Sequence, residues 1–174
     1  MRPARCVRLL RGHETAFFFY GTLMDRDSLS EVLGRRVAPR ALRPARLRGY
    51  RRAALRDADY PGVLFQRGAV VKGVILHGVK PRERARLSAY EGDGYELVRA
   101  LAELPGQRRV RVFLFKPKPG AYTVTGRPWT LARWRLHHKP SEMRVVAETS
   151  LAPLAGQGRT RGLRRRRRPH RMAA

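Results

Sequence analysis

Cysteine is almost absent from this 174-residue chain. Cys6 stands alone, which excludes an intrachain disulfide and a cysteine-based metal cluster and suits a reducing compartment. Acid is scarce as well: 13 Asp and Glu face 39 Lys and Arg, a formal net charge of +26. Lysine is nearly missing from that basic set, with 5 Lys against 34 Arg. Such an excess suggests an anionic partner such as nucleic acid. Its distribution weakens the suggestion, because eight arginines crowd between Arg159 and Arg171 and abundant arginine with abundant alanine is what a GC-rich coding bias yields. A solvated basic surface accounts for the charge, with nucleic acid kept as an alternative partner acting through the tail. No apolar run approaches the ~20 residues of a membrane-spanning helix. Residues 1–15 lack the continuous apolar core of a secretory signal. The expectation is a soluble, cytoplasmic protein with no membrane partner. Internal repeats, a Ser-His-Asp arrangement, a phosphate-cradling glycine loop and zinc-ligand spacing are all missing.

What is present suffices for one domain, since 43% of the residues are hydrophobic. Residues 1–15 read as a flexible leader and 141–174 as a basic, disordered tail, low in apolar residues and without period. Between them, 16–140 forms the domain. Phe17, Phe18, Phe19 and Tyr20 predict a buried strand that stops at Gly21, Thr22 and Leu23; Gly21 is free to take backbone angles a side chain forbids. Residues 25–34 predict a short helix with an acidic start and Gly34 as its stop. A half-buried strand follows at 45–50, then a loop with a turn at Pro61 and Gly62. Residues 68–79 give the strongest strand signal, with glycines that permit a bulge or barrel bend. A helix over 81–92 has Pro81 in its first turn and Gly92 just past its end. Strands at 95–104 and 108–115 make a hairpin across Pro105, Gly106 and Gln107, and 129–138 predicts a last helix whose Leu131 and Trp134 cover one end of the sheet. The fold class is mixed α/β (α+β).

Two features stand out chemically. One is the glycine-bearing turn at the end of a buried strand; the other is a carboxylate, Glu91, in the last turn of a helix beside Tyr90 and shortly before Tyr95. Asp57 and Asp59 have no further ligands clustered around them, and the adjacent His137 and His138 fall on different helix faces, so no metal site is expected.

Tyr20-Gly21-Thr22-Leu23 followed, in this order, by Tyr90-Glu91-Gly92-Asp93-Gly94-Tyr95 resembles the gamma-glutamylcyclotransferase-like family, over about residues 17–138. The resemblance implies a small β-barrel with peripheral helices and a cofactor-free conversion of a γ-glutamyl amine or peptide to 5-oxoproline with release of the amine. It makes Glu91 the general base and places substrate oxygens on the amides of Tyr20, Gly21, Thr22 and Leu23, with Tyr95 also at the substrate. One position departs from the pattern: Leu97 stands where many members carry a basic residue.

The chemistry fits those residues. The substrate's α-amine attacks its own γ-carbonyl, and holding both ends together exploits effective molarities of ~10⁵ M or more. An α-ammonium titrates near ~8, so a carboxylate at ~4.3 accepts its proton poorly. A helix C-terminus and burial beside Tyr90 both favour the protonated carboxyl and push its pKa upward. The competing reading gives Glu91 only an ion pair with Arg86 or Arg99. Asp93 between two glycines reads as a turn residue, and Glu96 as solvent-facing. A non-catalytic small-molecule binder is the other alternative.

Overall fold

The computed structural model describes residues 15–139. The expected leader and basic tail lie outside them, apart from Thr15. Five strands, β1 (Phe17–Phe19), β2 (Leu42–Ala54), β3 (Pro61–Leu76), β4 (Tyr95–Glu103) and β5 (Arg109–Pro117), close into a barrel in the order β1-β3-β2-β4-β5. Three helices, α1 (Arg26–Leu33), α2 (Pro81–Glu91) and α3 (Leu131–His137), pack around it. The expected barrel with peripheral helices is therefore present.

The run of aromatics at 17–20 is continuous because β1 is buried on both faces. Successive side chains of a strand point to opposite sides. Phe18 and Tyr20 enter the barrel interior with Leu47, Val63, Ile75 and Leu114, whereas Phe17 and Phe19 face the helices and meet Leu29, Leu33 and Leu87. One strand thus ties both cores together. β1 pairs antiparallel with β3, Phe18 opposite Ile75, and closes the barrel through a parallel contact of Phe17 with Phe113 of β5.

β3 corrects the sequence reading. Pro61 and Gly62 do not form a turn: they open a 16-residue strand, pairing with Ala54 and Ala53 of β2. The chain reverses earlier, in the turn that contains Asp57, whose φ is +57°. Proline tolerates this place because the first residue of a strand need not donate to the ladder. The strand also ends at Leu76 rather than at Val79. β2 is longer than the expected 45–50, with an irregularity between Arg48 and Tyr50 where Gly49 adopts φ +79°. That kink keeps two long strands in one curved ladder.

The helix boundaries follow local chemistry. The Asp25 carboxylate accepts the Ser28 amide at 3.1 Å and caps α1, and Gly34 ends it in the left-handed region at φ +68°. In α2 the Glu83 carboxylate accepts the Lys80 amide at 2.8 Å and pairs with Arg35, which anchors the helix start against the end of α1. α3 is shorter than expected because Thr130 caps it, so Trp129 lies just before the helix. Trp134 is fully buried.

Candidate functional site

β1 delivers the 20–23 turn. Tyr20 ends the strand with its ring inside the barrel, where its hydroxyl donates to the Phe115 carbonyl at 2.7 Å. That bond locks the strand end to β5. The chain then tightens into a 3-10 turn over Thr22–Met24, with the Met24 amide on the Gly21 carbonyl at 3.0 Å and the Asp25 amide on the Thr22 carbonyl at 2.9 Å. Internal bonding begins only at Met24, so the amides of Gly21, Thr22 and Leu23 precede it, as the first N–H groups of any helical turn do.

Gly21 sits at φ −116° and ψ −141°, outside the regular helical and extended regions. A Cβ there would meet Cγ and Cδ of Pro61 at 3.1 and 3.2 Å, so glycine is what lets the turn lie against the start of β3.

α2 delivers Glu91. It is the last residue of the helix, partly buried, and Leu87 one turn earlier is fully buried against Phe17 and Phe19 in the outer core. The two halves are joined directly: the Thr22 Oγ1 and Tyr90 hydroxyl share a hydrogen bond of 3.0 Å. Glu91 and the turn then line one open cleft, with Phe18, Phe19, Tyr60, Pro61 and Phe115 as the remaining wall. Its empty volume, the solvent-facing mouth included, is about 340 Å³. Of the lining residues, Glu91 alone carries a carboxylate.

Electrostatics separate the possible proton carriers. Burial pushes the Tyr20 hydroxyl well above the ordinary tyrosine range, and the charge of Glu91 adds to it against a backbone hydrogen bond at Val63. Tyr95 is raised by burial first and then by the charges of Tyr20 and Glu91. Both phenols stay protonated donors, so neither is a base near neutral pH. The sequence offers Arg86 and Arg99 as partners for Glu91. Arg86 donates to the Leu33 carbonyl at 2.8 Å, and Arg99 lies over the Phe113 ring at 5.5 Å. Asp93 is exposed, and Glu96 pairs with Lys116 at 2.9 Å.

Five of the six residues read from the sequence, Tyr20, Gly21, Thr22, Leu23 and Glu91, meet at this cleft. Tyr95 is not in its wall. Its hydroxyl donates to the Pro61 carbonyl at 3.0 Å, and its ring packs with Tyr60 and Tyr122, so it buttresses two wall residues, Tyr60 and Pro61. Sequence reasoning missed Tyr60, Pro61 and Phe115. Pro61 with Gly62 reads locally as a turn, but Pro61 opens β3 and lies beside Gly21, and Phe115 arrives from β5, where its carbonyl accepts from Tyr20.

Comparison with known proteins agrees in extent. The model of the family described as gamma-glutamyl cyclotransferase, AIG2-like, matches residues 17–136. Protein AIG2 C of Arabidopsis thaliana is 27% identical over 126 residues, which span 70% of this chain and 72% of that protein. A solution structure of an Arabidopsis thaliana protein matches with a TM-score of 0.57 at 22% identity, over 80% of this chain and 83% of that one. A solved structure named gamma-glutamyl cyclotransferase matches with a TM-score of 0.52 at 12% identity, over 64% and 69% of the two chains. At such identities the structural matches speak for the fold.

Proposed function

We propose a function from the premise that this chain belongs to the gamma-glutamyl cyclotransferase, AIG2-like family: it is a cofactor-free cyclotransferase that converts a γ-glutamyl amine or peptide to 5-oxoproline. The observation that carries the proposal is the meeting of Glu91 with the 20–23 turn in one cleft. A carboxylate and a row of amides are the two things the reaction requires.

The substrate enters with its α-amine as an ammonium. Glu91 takes one proton, and the freed lone pair attacks the γ-carbonyl carbon to form the ring C–N bond. The carbonyl oxygen becomes an oxyanion, stabilised by N–H groups of the turn at the moment its charge develops. Collapse re-forms the carbonyl and breaks the bond to the leaving nitrogen. Two of the three ammonium protons leave the α-nitrogen and both end on the departing amine, with Glu91 carrying them one at a time. The products are the lactam and a protonated amine, and no oxidant, metal or external nucleophile enters the balance. Phe18, Phe19, Tyr60 and Phe115 form the apolar wall, which lowers the local polarity around the developing charge. The Thr22–Tyr90 bond keeps the amide row and the base at a fixed separation.

A panel of γ-glutamyl dipeptides and γ-glutamyl amines, followed for 5-oxoproline, tests the activity. Release from at least one of them is expected. Saturable binding of such compounds without 5-oxoproline would instead identify a non-catalytic binder built on the same cleft.

A further inference from the structure

Arginine is everywhere in this chain, and among the described arginines Arg52 donates to a carbonyl of the candidate site itself. It lies on β2 opposite Val63, whose side chain is in the barrel interior, so the guanidinium points to the same face of the sheet at the barrel end. Arg35, Arg48 and Arg135 each pair with a carboxylate, those of Glu83, Glu103 and Asp25. Among the described residues Arg52 pairs with none. Its Nη1 donates instead to the Tyr20 carbonyl at 2.7 Å, with the Met24 sulfur at 4.0 Å. The Trp129 ring covers the guanidinium at 5.3 Å and is itself fixed by its indole N–H on the Asp59 carbonyl at 2.9 Å. Holding a half-buried cation without a counterion is costly, and burial lowers the Arg52 pKa accordingly. A chain that needed only packing here would do better with an apolar side chain.

The bond geometry says what the charge acts upon. The Tyr20 carbonyl and the Gly21 N–H belong to one planar peptide unit, and no cis bond occurs among the described residues. In a trans peptide the two groups point in opposite directions. With the carbonyl turned to Arg52, the Gly21 N–H is turned away from it, and both residues line the cleft. Donation to a peptide oxygen also polarises the unit and strengthens its N–H as a donor.

We infer that Arg52 is a positioning residue of the site: by gripping the Tyr20 carbonyl it orients and polarises the Tyr20–Gly21 peptide, so that the Gly21 amide meets the substrate's oxyanion or carboxylate oxygen. The inference rests on the cyclotransferase reading for the identity of that oxygen, but not for the coupling between Arg52 and Gly21. Trp129 keeps water off one face of the guanidinium and the grip short. Substrate contact falls to the amide, and Arg52 acts through it.

The full-length protein, labelled with ¹⁵N, separates the two claims. In Arg52→Gln the Gly21 amide resonance should move upfield and exchange its hydrogen more slowly, as a less polarised and less acidic N–H does, while Arg52→Lys, which keeps the charge and one donor, should lie between. Titration with 5-oxoproline should shift the Gly21 amide in the wild type and at least 10-fold more weakly in Arg52→Gln. Turnover in that variant should fall mainly in kcat, with Arg52→Lys restoring part of it. A Gly21 resonance and turnover unchanged in both variants overturns the inference, and should Arg52→Gln not fold, Arg52→Lys alone decides between the same two outcomes. A wild type that turns over no γ-glutamyl compound overturns the cyclotransferase reading instead, while the Gly21 resonance still decides the coupling.

Discussion

Tyr20 holds its place with a buried hydroxyl that donates to the Phe115 carbonyl. Tyr20→Phe therefore belongs to stability: leaving that buried carbonyl without its donor should cost about 1–3 kcal/mol in urea unfolding, with little change in turnover per folded molecule. Thr22 is the opposite case. Its hydroxyl bond to Tyr90 spans the two halves of the site, so Thr22→Val, equal in shape, should lower kcat several-fold while the unfolding free energy stays within about 1 kcal/mol of the wild type. The sequence made most of this scale readable, because a glycine turn and a carboxylate at a helix end are local patterns. What it hid was why Gly21 is glycine. Pro61, far along the chain, would stand 3.1 Å from a Cβ at that position, and no local pattern reports a contact of that kind.

At the scale of elements, the helices and the 95–115 hairpin were legible because caps and alternation are written locally. β3 was not, because Pro61 and Gly62 carry a turn signal that pairing with β2 overrides. Gly73 on that strand has a specific duty: a methyl there would run into the Phe19 carbonyl oxygen and the Phe18 ring. Gly73→Ala should push β1 off β3 and destabilise the protein by about 1–3 kcal/mol, read as a lower urea midpoint, and should disturb the turn that β1 carries.

The docking of α3 adds a dependence on pH. Burial works to raise the Asp25 carboxyl, but hydrogen bonds from Lys139, the Ser28 amide and Arg135 outweigh it and hold the group at about 2. A carboxyl depressed in the folded state stabilises the fold above its ordinary value of ~3.9, and that contribution disappears as the pH falls from there through about 2. The expected outcome is a stability loss on the order of 2 kcal/mol across that window. Asp25→Asn should lower stability at neutral pH and flatten the acid limb, which pH-dependent urea titrations would resolve.

For the molecule as a whole, a closed five-stranded barrel with three helices puts one strand end and one helix end side by side, and the site is the place where they meet. Because β1 is buried on both faces, the same four aromatics that build the core also set the position of the turn. Family and fold were readable from two short motifs in order. The surrounding wall was not, because it is assembled by β3 and β5 from far along the chain. Among the described residues no helix is long and apolar enough to cross a membrane.

The proposed chemistry turns on Glu91 as the group that carries the proton. The most direct test is the rate of 5-oxoproline formation by Glu91→Gln against the wild type, on the best γ-glutamyl substrate and at matched folded concentration. Glutamine keeps the shape and the hydrogen-bonding reach but cannot accept the ammonium proton, so the rate should fall by about 100-fold or more while substrate still binds. Undiminished turnover in Glu91→Gln would contradict that role.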